Sequence, residues 1–296
     1  MLLRTFFECV FRPSRLPLAD VQTIYQYDLN LRRFEEFLTR PAEVLDLTDG
    51  NIGNACHWLR SAKKLGISSA SKLRENLVTI WKLARKRGQI DTDPEIPAIR
   101  EPVRVPRAWS RDELNQLWEY LRRLPGDVSG VPESLWYCSL ACVLWDTGER
   151  IGALWQTGKA QLDLRDGWIV VRAEVRKGKA SDRLYRLSPQ SVTLLKELMA
   201  LDVPGDMIWP WPYCETYLWQ KWKAILKRCG LPTGREFSFH CLRKSHASHL
   251  KARGGDARES LGHSSDSTTN GTYIDPRITG LGNDPTSRLF RLGDAG

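Results

Sequence analysis

The sequence predicts a mainly α-helical protein with a small β-sheet: a helical N-terminal domain (1–100) and a mixed α/β C-terminal domain (107–296). Three observations carry this. Apolar residues recur at three- and four-residue steps through most of the chain, the period of an amphipathic helix. Between Leu162 and Leu187 that period gives way to alternation rich in Val, Ile and Tyr, the mark of strands. Residues 89–106, QIDTDPEIPAIREPVRVP, hold four prolines and little periodicity. Proline removes a donor and restrains its neighbour, so this stretch reads as a linker and a domain boundary.

The elements follow in order. Residues 18–39, LADVQTIYQYDLNLRRFEEFLT, place Val21, Ile24, Tyr25, Leu29, Leu31, Phe34 and Phe37 at helical steps. A second helix is predicted from Thr48, as N-cap, to Leu65, and a third from Ser69 to Arg87, ending before Gly88. Their polar faces are basic: Arg60, Lys63 and Lys64 on one, Lys82, Arg85, Lys86 and Arg87 on the next. A solvated face and a row of phosphate contacts both fit such a pattern. Beyond the linker, Ser110 and Glu113 form a capping box that opens a helix, and another runs from Glu133 to Trp145. The alternating segments DLRDGWIVVRAEV and DRLYRLS flank the turn-prone RKGKAS, so two strands meet at a basic hairpin. After Pro189 the chain returns to helices, with the tryptophan-rich WPWPYCETYLW between them.

Composition narrows the function classes. The net charge is +9, and Lys plus Arg exceed Asp plus Glu both before and after residue 106. A basic excess suits a polyanion, either nucleic acid or an anionic membrane surface. No run of about 18 apolar residues exists, so no membrane span is expected. The opening MLLRTFFECVFRPSR is broken by Arg4 and Glu8 and no small-residue cleavage site follows, so no signal peptide is expected and the reading is cytoplasmic. The seven cysteines form no C-x-x-C pair and read as buried thiols, not as disulfides or a zinc site. No P-loop and no Asp/Glu cluster is present, so neither ATP nor a metal is implied.

Four short segments carry candidate chemistry: DTGERIGAL (146–154), RKGKASDR (176–183), FHCLRKSHASHL (239–250) and SLGHSSDSTTNGTY (260–273). Arg150 sits where an apolar helix ends. A buried arginine needs an anionic partner, and Asp146 or Glu149 could supply one in an ordinary ion pair. His240 and Arg243 lie three apart and project from one helix face, which also happens on solvated helices. Gly262 before His263 suggests a tight turn presenting the imidazole. Tyr273, ten positions further on, lies in a polar segment. Taken singly, a tyrosine there is more often a packing residue.

Together and in this order, the segments resemble the tyrosine recombinase (phage integrase) family. Its catalytic domain shows T-G-x-R, a lysine on a β-hairpin, H-x-x-R, L-G-H and a nucleophilic tyrosine. Thr147-Gly148-Glu149-Arg150, Lys177, His240-Cys241-Leu242-Arg243, Leu261-Gly262-His263 and Tyr273 match each element. The likeness spans roughly residues 17 to 280. It departs in three places. The family's usual acidic residue three after the first arginine is Ala153 here, the stretch from Arg243 to His263 is a few residues shorter than usual, and that from His263 to Tyr273 is one longer. Lys179 competes with Lys177 for the hairpin role, and Lys177 is preferred.

The resemblance implies a helical core-binding domain of the SAM-like four-helix kind, followed by a tyrosine-recombinase catalytic domain. It implies a site-specific DNA recombinase, or integrase, that cuts and rejoins strands by transesterification through a 3′-phosphotyrosine. Arg150 and Arg243 would grip the non-bridging oxygens. Lys177 would act as general acid on the leaving 5′-oxygen, His240 would accept or relay the tyrosine proton, and His263 would hydrogen-bond the phosphate. The expected partner is double-stranded DNA, clamped by both domains and contacted by Arg60, Lys63, Lys64, Lys82, Arg85, Lys86 and Lys179. Four protomers would assemble on DNA, with nucleoid association when bound. The tail segment SRLFRL would dock on a neighbour or pack on its own domain. About 16 residues before the first helix are too few for an arm-binding domain. No cofactor or metal is implied. A catalytically inactive regulator of the same fold, a metal-dependent nuclease and a type IB topoisomerase are the rival readings.

Overall fold

The computed structural model describes residues 1–176 and 181–280, and the chain divides after Val103 into two compact units. The first begins with α1 (Leu3–Phe6) and α2 (Arg12–Arg15), joined by a π-helical Phe7–Phe11. Then come α3 (Val21–Leu38), α4 (Asp49–Ser61) and α5 (Ile67–Lys86). Helix starts are set locally. The Asp20 carboxylate accepts the Thr23 N–H at 2.6 Å, and the Thr48 hydroxyl accepts the Asn51 N–H at 3.1 Å. Gly88, at φ +66°, follows the end of α5.

The helical stretch before α3 goes beyond the sequence reading. Leu3, Phe6, Phe7 and Phe11 are buried, and Phe7 stacks on Phe11 and on Tyr27, each at 5.6 Å. The charges that interrupt this apolar patch face outward along α3 and its own helix: Arg4 pairs with Asp28 at 2.8 Å and Glu35 at 2.7 Å, and Glu8 with Arg12. Conversely, the stripe predicted on α3 faces the core only along its second half. Leu31 and Phe34 are buried, while Val21 is 83% exposed. Part of the proline-rich stretch is strapped down as well. Trp81 Nε1 donates to the Thr92 carbonyl at 2.8 Å, and Asp49 accepts the N–H groups of Glu95 and Ile96.

The second unit begins at Arg104. Its α6 (Arg111–Leu121) opens on the Ser110–Glu113 capping box. The short strands β1 (Asp127–Val128) and β2 (Val131–Pro132) lead into α7 (Glu133–Thr147). α7 is apolar nearly all round and buried nearly all round, as such a helix must be. After α8 (Ile151–Trp155), an antiparallel sheet of order β3-β4-β5 forms from β3 (Leu162–Asp163), β4 (Trp168–Val171) and β5 (Arg183–Arg186), with Val171 opposite Arg183. Next come α9 (Pro189–Ala200), α10 (Glu215–Arg228) and α11 (His240–Ala252). The short helices α12 (Ala257–Leu261), α13 (Asp266–Thr272) and α14 (Pro276–Thr279) close the described chain. The tryptophan-rich segment is anchored at its start: Trp209 is fully buried with Nε1 donating to Ser139 Oγ, and Trp136 Nε1 donates to the Pro210 carbonyl, while Tyr213 and Cys214 are exposed.

The cysteines depart from expectation at two positions. Five are buried, but Cys9 and Cys214 are exposed. Among the described residues no helix is long and apolar enough to cross a membrane.

Because Leu3, Phe6, Phe7 and Phe11 belong to the core, Phe7→Ala is expected to cost about 3–5 kcal/mol, whereas Val21→Ala, on the exposed end of α3, costs less than about 0.5 kcal/mol. Urea unfolding monitored by circular dichroism measures both. Equal midpoints for the two variants would contradict this packing.

Candidate active site

The site forms where the buried helix α7 ends against α11. α7 stops because Gly148 takes the left-handed conformation at φ +60°. A Cβ there would come within 2.5 Å of the His246 ring, so the position admits only glycine. His246 is itself pinned, Nδ1 to the Trp145 carbonyl at 2.6 Å and Nε2 to Ser260 Oγ at 2.7 Å. The start of α11 is fixed by Phe239, which stacks on Trp222 with centroids 4.0 Å apart. His240 and Arg243 therefore project from a rigid turn.

Arg243 is fully buried. Its Nη1 donates to the Gly148 carbonyl, and its Nη2 donates to the Leu261 carbonyl at 3.1 Å and lies 3.1 Å from His263 Nε2. Among the described residues its Nε has no partner. The guanidinium carbon lies 5.1 Å from the centroid of the Tyr273 ring. Burial, and then the neighbouring Arg150, push the Arg243 pKa down, while Tyr273 and Glu149 oppose the shift. A guanidinium still stays protonated under such conditions.

Arginine only donates, so His263 Nε2 accepts from Arg243 and the imidazole proton sits on Nδ1. Nδ1 then donates to Thr269 Oγ1, at 2.9 Å. The ring of His263 lies 4.6 Å from that of Tyr273, and the ring of His240 5.1 Å. Burial, with Arg243, Lys244, Arg150 and His263 nearby, pushes His240 down to about 4. Burial, with Arg243, Arg150 and Arg183, does the same to His263, also to about 4. Both imidazoles are neutral at neutral pH.

Tyr273 is 6% exposed and packs with Ala247, Ala257, Leu261 and Ile274. Its main chain is fastened: Ser248 Oγ donates to the Tyr273 carbonyl at 3.1 Å and accepts the Asp275 N–H at 2.9 Å. Asp275, fully buried, accepts the Ala108 N–H at 2.8 Å and pairs with Arg277.

Arg150 follows a different rule. Among the described residues its guanidinium has no hydrogen-bond or ion-pair partner, although it lies close enough to Arg243, His240 and His263 to depress each. The ion pair the sequence suggested for it does not form. Asp146 accepts the Ser188 N–H instead, and the Glu149 carboxylate turns toward Arg243 and Arg176, taking from Arg150 its backbone N–H alone. The structure thus brings Arg150, His240, Arg243, His263 and Tyr273 together. Lys177 and Lys179 lie outside the described residues. Sequence reasoning passed over Arg183, whose guanidinium donates to the carbonyls of Glu259 and Ser260, each at 2.7 Å, and fills the space beside Gly262. It also passed over Thr269, the partner of His263. Neither shows a local signal in the sequence. Among the described residues no group of His, Cys, Asp and Glu is placed to hold a metal ion.

The phage integrase family model matches residues 108–278, which include the whole of this site. The chain belongs to the phage integrase family, the tyrosine-type site-specific recombinases. Among its relatives, tyrosine recombinase XerA of Thermococcus kodakarensis is 30% identical over 261 residues, covering 83% of this chain and 82% of that protein. Tyrosine recombinase XerC of Lactobacillus leichmannii is 26% identical over 231 residues, 72% of this chain and 74% of that one. The fold is similar to that of a lambda integrase dimer bound to a COC′ core site, with a TM-score of 0.70 at 18% identity over 90% of this chain and 97% of that one. It is similar too to a lambda integrase tetramer bound to a Holliday junction, with a TM-score of 0.72 at 19% identity over 94% and 78%.

The paired imidazoles make stability depend on pH with a definite sign. Their folded pKa of about 4 lies below the ordinary 6.5, so between those values the unfolded chain binds more protons. Stability therefore falls as the pH drops through that window. The urea midpoint of a His240→Gln/His263→Gln variant should decline less steeply than that of the wild type from pH 6.5 to 4. Parallel declines would show that the two rings are not held neutral.

Proposed function

We propose that this chain cuts and rejoins duplex DNA through a 3′-phosphotyrosine at Tyr273. The observation that carries the reading is the convergence of a buried, charged Arg243 and two neutral imidazoles on the Tyr273 ring, with the partnerless Arg150 alongside. In the first step the Tyr273 oxygen attacks the scissile phosphorus, a P–O bond to tyrosine forms and the bond to the 5′-oxygen breaks. Arg150 and Arg243 balance the charge that grows on the non-bridging oxygens. The phenol proton passes to His240, whose neutral ring can take it. The approach of the phosphate raises the proton affinity of both imidazoles, since an anion favours their charged forms. The leaving 5′-oxygen takes a proton from Lys177. In the second step a 5′-hydroxyl attacks the phosphotyrosine, the strand is resealed and tyrosine is released. His263 binds the phosphate by donating from Nε2, once that nitrogen is freed from Arg243 and has taken up a proton in the presence of the anion.

The N-terminal unit acts as the core DNA-binding domain and the C-terminal unit as the catalytic domain. Arg60, Lys63, Lys64, Lys82, Arg85 and Lys86 are all exposed, which suits phosphate contact. Two are already engaged: Lys63 pairs with Glu36 and lies 5.2 Å from the Trp58 ring centroid, and Arg85 stands 3.6 Å from Asp93. Arg60, Lys64, Lys82 and Lys86 have no ion-pair partner among the described residues and are the stronger candidates. Four protomers assemble on two duplexes, a reading supported by the fold's likeness to a tetrameric neighbour. Exchange of the SRLFRL tail, which lies outside the described residues, belongs to the same proposal, as does nucleoid association of a cytoplasmic protein.

A nicked suicide substrate carrying the chain's native flanking DNA tests the chemistry. Wild type is expected to become covalently attached and Tyr273→Phe not to. A persistent adduct in the variant would move the nucleophile elsewhere. For the grip on DNA, Lys82→Ala/Lys86→Ala should weaken binding about equally on any sequence and lower the slope of log affinity against log salt by about 2. An unchanged slope would remove these lysines from the interface.

A further inference from the structure

We infer that Glu149 is a positioning residue of the cleavage reaction: its buried carboxylate holds the Arg243 guanidinium in aim and registers the β-sheet against it. Glu149 is 1% exposed. Its Oε1 accepts from Arg176 Nε and from Tyr185 Oη, each at 2.7 Å. Its Oε2 accepts the Arg150 N–H at 3.0 Å and stands 3.8 Å from Arg243 Nη1. One carboxylate thus meets the guanidiniums of Arg176 and Arg243 and the main chain of Arg150, the last two being the arginines of the phosphate position proposed above.

A carboxylate sealed from water is costly unless its oxygens are matched by donors and opposite charge. Here the matching groups come from three separate places: the turn after α7, helix α11 and the sheet. Ala153, one helical turn beyond, is buried and brings no charge of its own. Without the Glu149 charge, Arg243 would lose the counter-charge that offsets repulsion by Arg150, and its bonds to the carbonyls of Gly148 and Leu261 would no longer suffice to hold the guanidinium's angle. The helix would stay in place while the guanidinium turned. Burial works against ionisation of Glu149, but the Tyr185 hydroxyl, the Arg150 N–H and the two guanidiniums outweigh it and keep the carboxyl below its ordinary range.

This inference rests on the reading that Arg243 grips the scissile phosphate, and the test separates the two. Single-turnover cleavage is measured on a suicide substrate with an ordinary scissile phosphate and on one with a methylphosphonate there, each diastereomer separately. The methyl group removes the charge of one non-bridging oxygen. Glu149→Gln is expected to slow cleavage of the ordinary substrate about 10- to 100-fold, with DNA affinity and circular dichroism unchanged and partial recovery in Glu149→Asp. On one methylphosphonate diastereomer, wild type and variant should differ less than about twofold, because the oxygen that Arg243 must meet is no longer charged. Equal losses on every substrate would overturn the proposal and make Glu149 a structural residue. Should Glu149→Gln fail to fold, Tyr185→Phe removes a single donor to the same carboxylate. It is expected to show the same substrate-dependent loss in milder form, and wild-type rates in it would overturn the proposal. Arg243→Ala is the control: wild-type cleavage by that variant would sink the underlying reading of the site whatever Glu149 does.

Discussion

A guanidinium with no exposure to water is the constraint around which the catalytic unit is built. Burying Arg243 is unfavourable unless its charge and donors are met. The chain meets them with the carbonyls of Gly148 and Leu261, which lie at the C-terminal ends of α7 and α12. Helix C-termini carry partial negative charge, so two helices point their favourable ends at one cation. Each then turns away through a glycine in the left-handed conformation. Gly148 has the His246 ring where a side chain would go, and Gly262 has the Arg183 guanidinium. The T-G-x-R and L-G-H segments are therefore two walls of one cradle. A charge fixed in this way needs no reorganisation when a phosphate arrives, which is the condition for electrostatic catalysis.

The two arginines are held by opposite means. Arg243 is locked by backbone oxygens, whereas Arg150 is partly exposed and its guanidinium lacks a partner among the described residues. An arginine with unused donors beside a second, buried cation makes a strong electrostatic demand for an anion. Burial, and then the same field, keep His240 and His263 neutral, and neutral rings are the form able to receive the phenol proton. The positive charge that calls for a phosphate also holds the rings unprotonated, and the arriving anion then offsets that charge and restores their affinity for a proton.

Much of this was legible in the sequence because the motif residues sit at helix ends, where local rules are strong. The Ser110 capping box, the Thr48 N-cap and the end of α5 before Gly88 are short-range features, and the structure has them where the sequence puts them. The β-sheet showed through its change of period. What sequence could not give were pairings between distant segments. Glu149 lies next to Arg150 in the chain, yet its carboxylate serves an arginine from α11 and another from the segment that follows β4. Nothing local says which guanidinium will arrive. The helical stretch at residues 3–15 escaped for a related reason: its apolar pattern is interrupted by Arg4 and Glu8, and only the fold shows that both charges find partners outside the core.

The stretch between His263 and Tyr273 is organised by α13. Ser265 caps this helix by accepting the Thr268 N–H, and Thr269, in its middle, holds both ends of the site. Its hydroxyl accepts from His263 Nδ1 at 2.9 Å, and its carbonyl accepts the Tyr273 N–H, also at 2.9 Å. The ring of the histidine and the backbone of the tyrosine are thereby referred to one buried residue. The register between the two rings is set by the hydrogen bonds of a helical turn. Asp275 then fixes the chain immediately after Tyr273 against Ala108 and Arg277. Bounded on one side by Thr269 and on the other by Asp275, the backbone of Tyr273 is held so that its ring lies over Arg243.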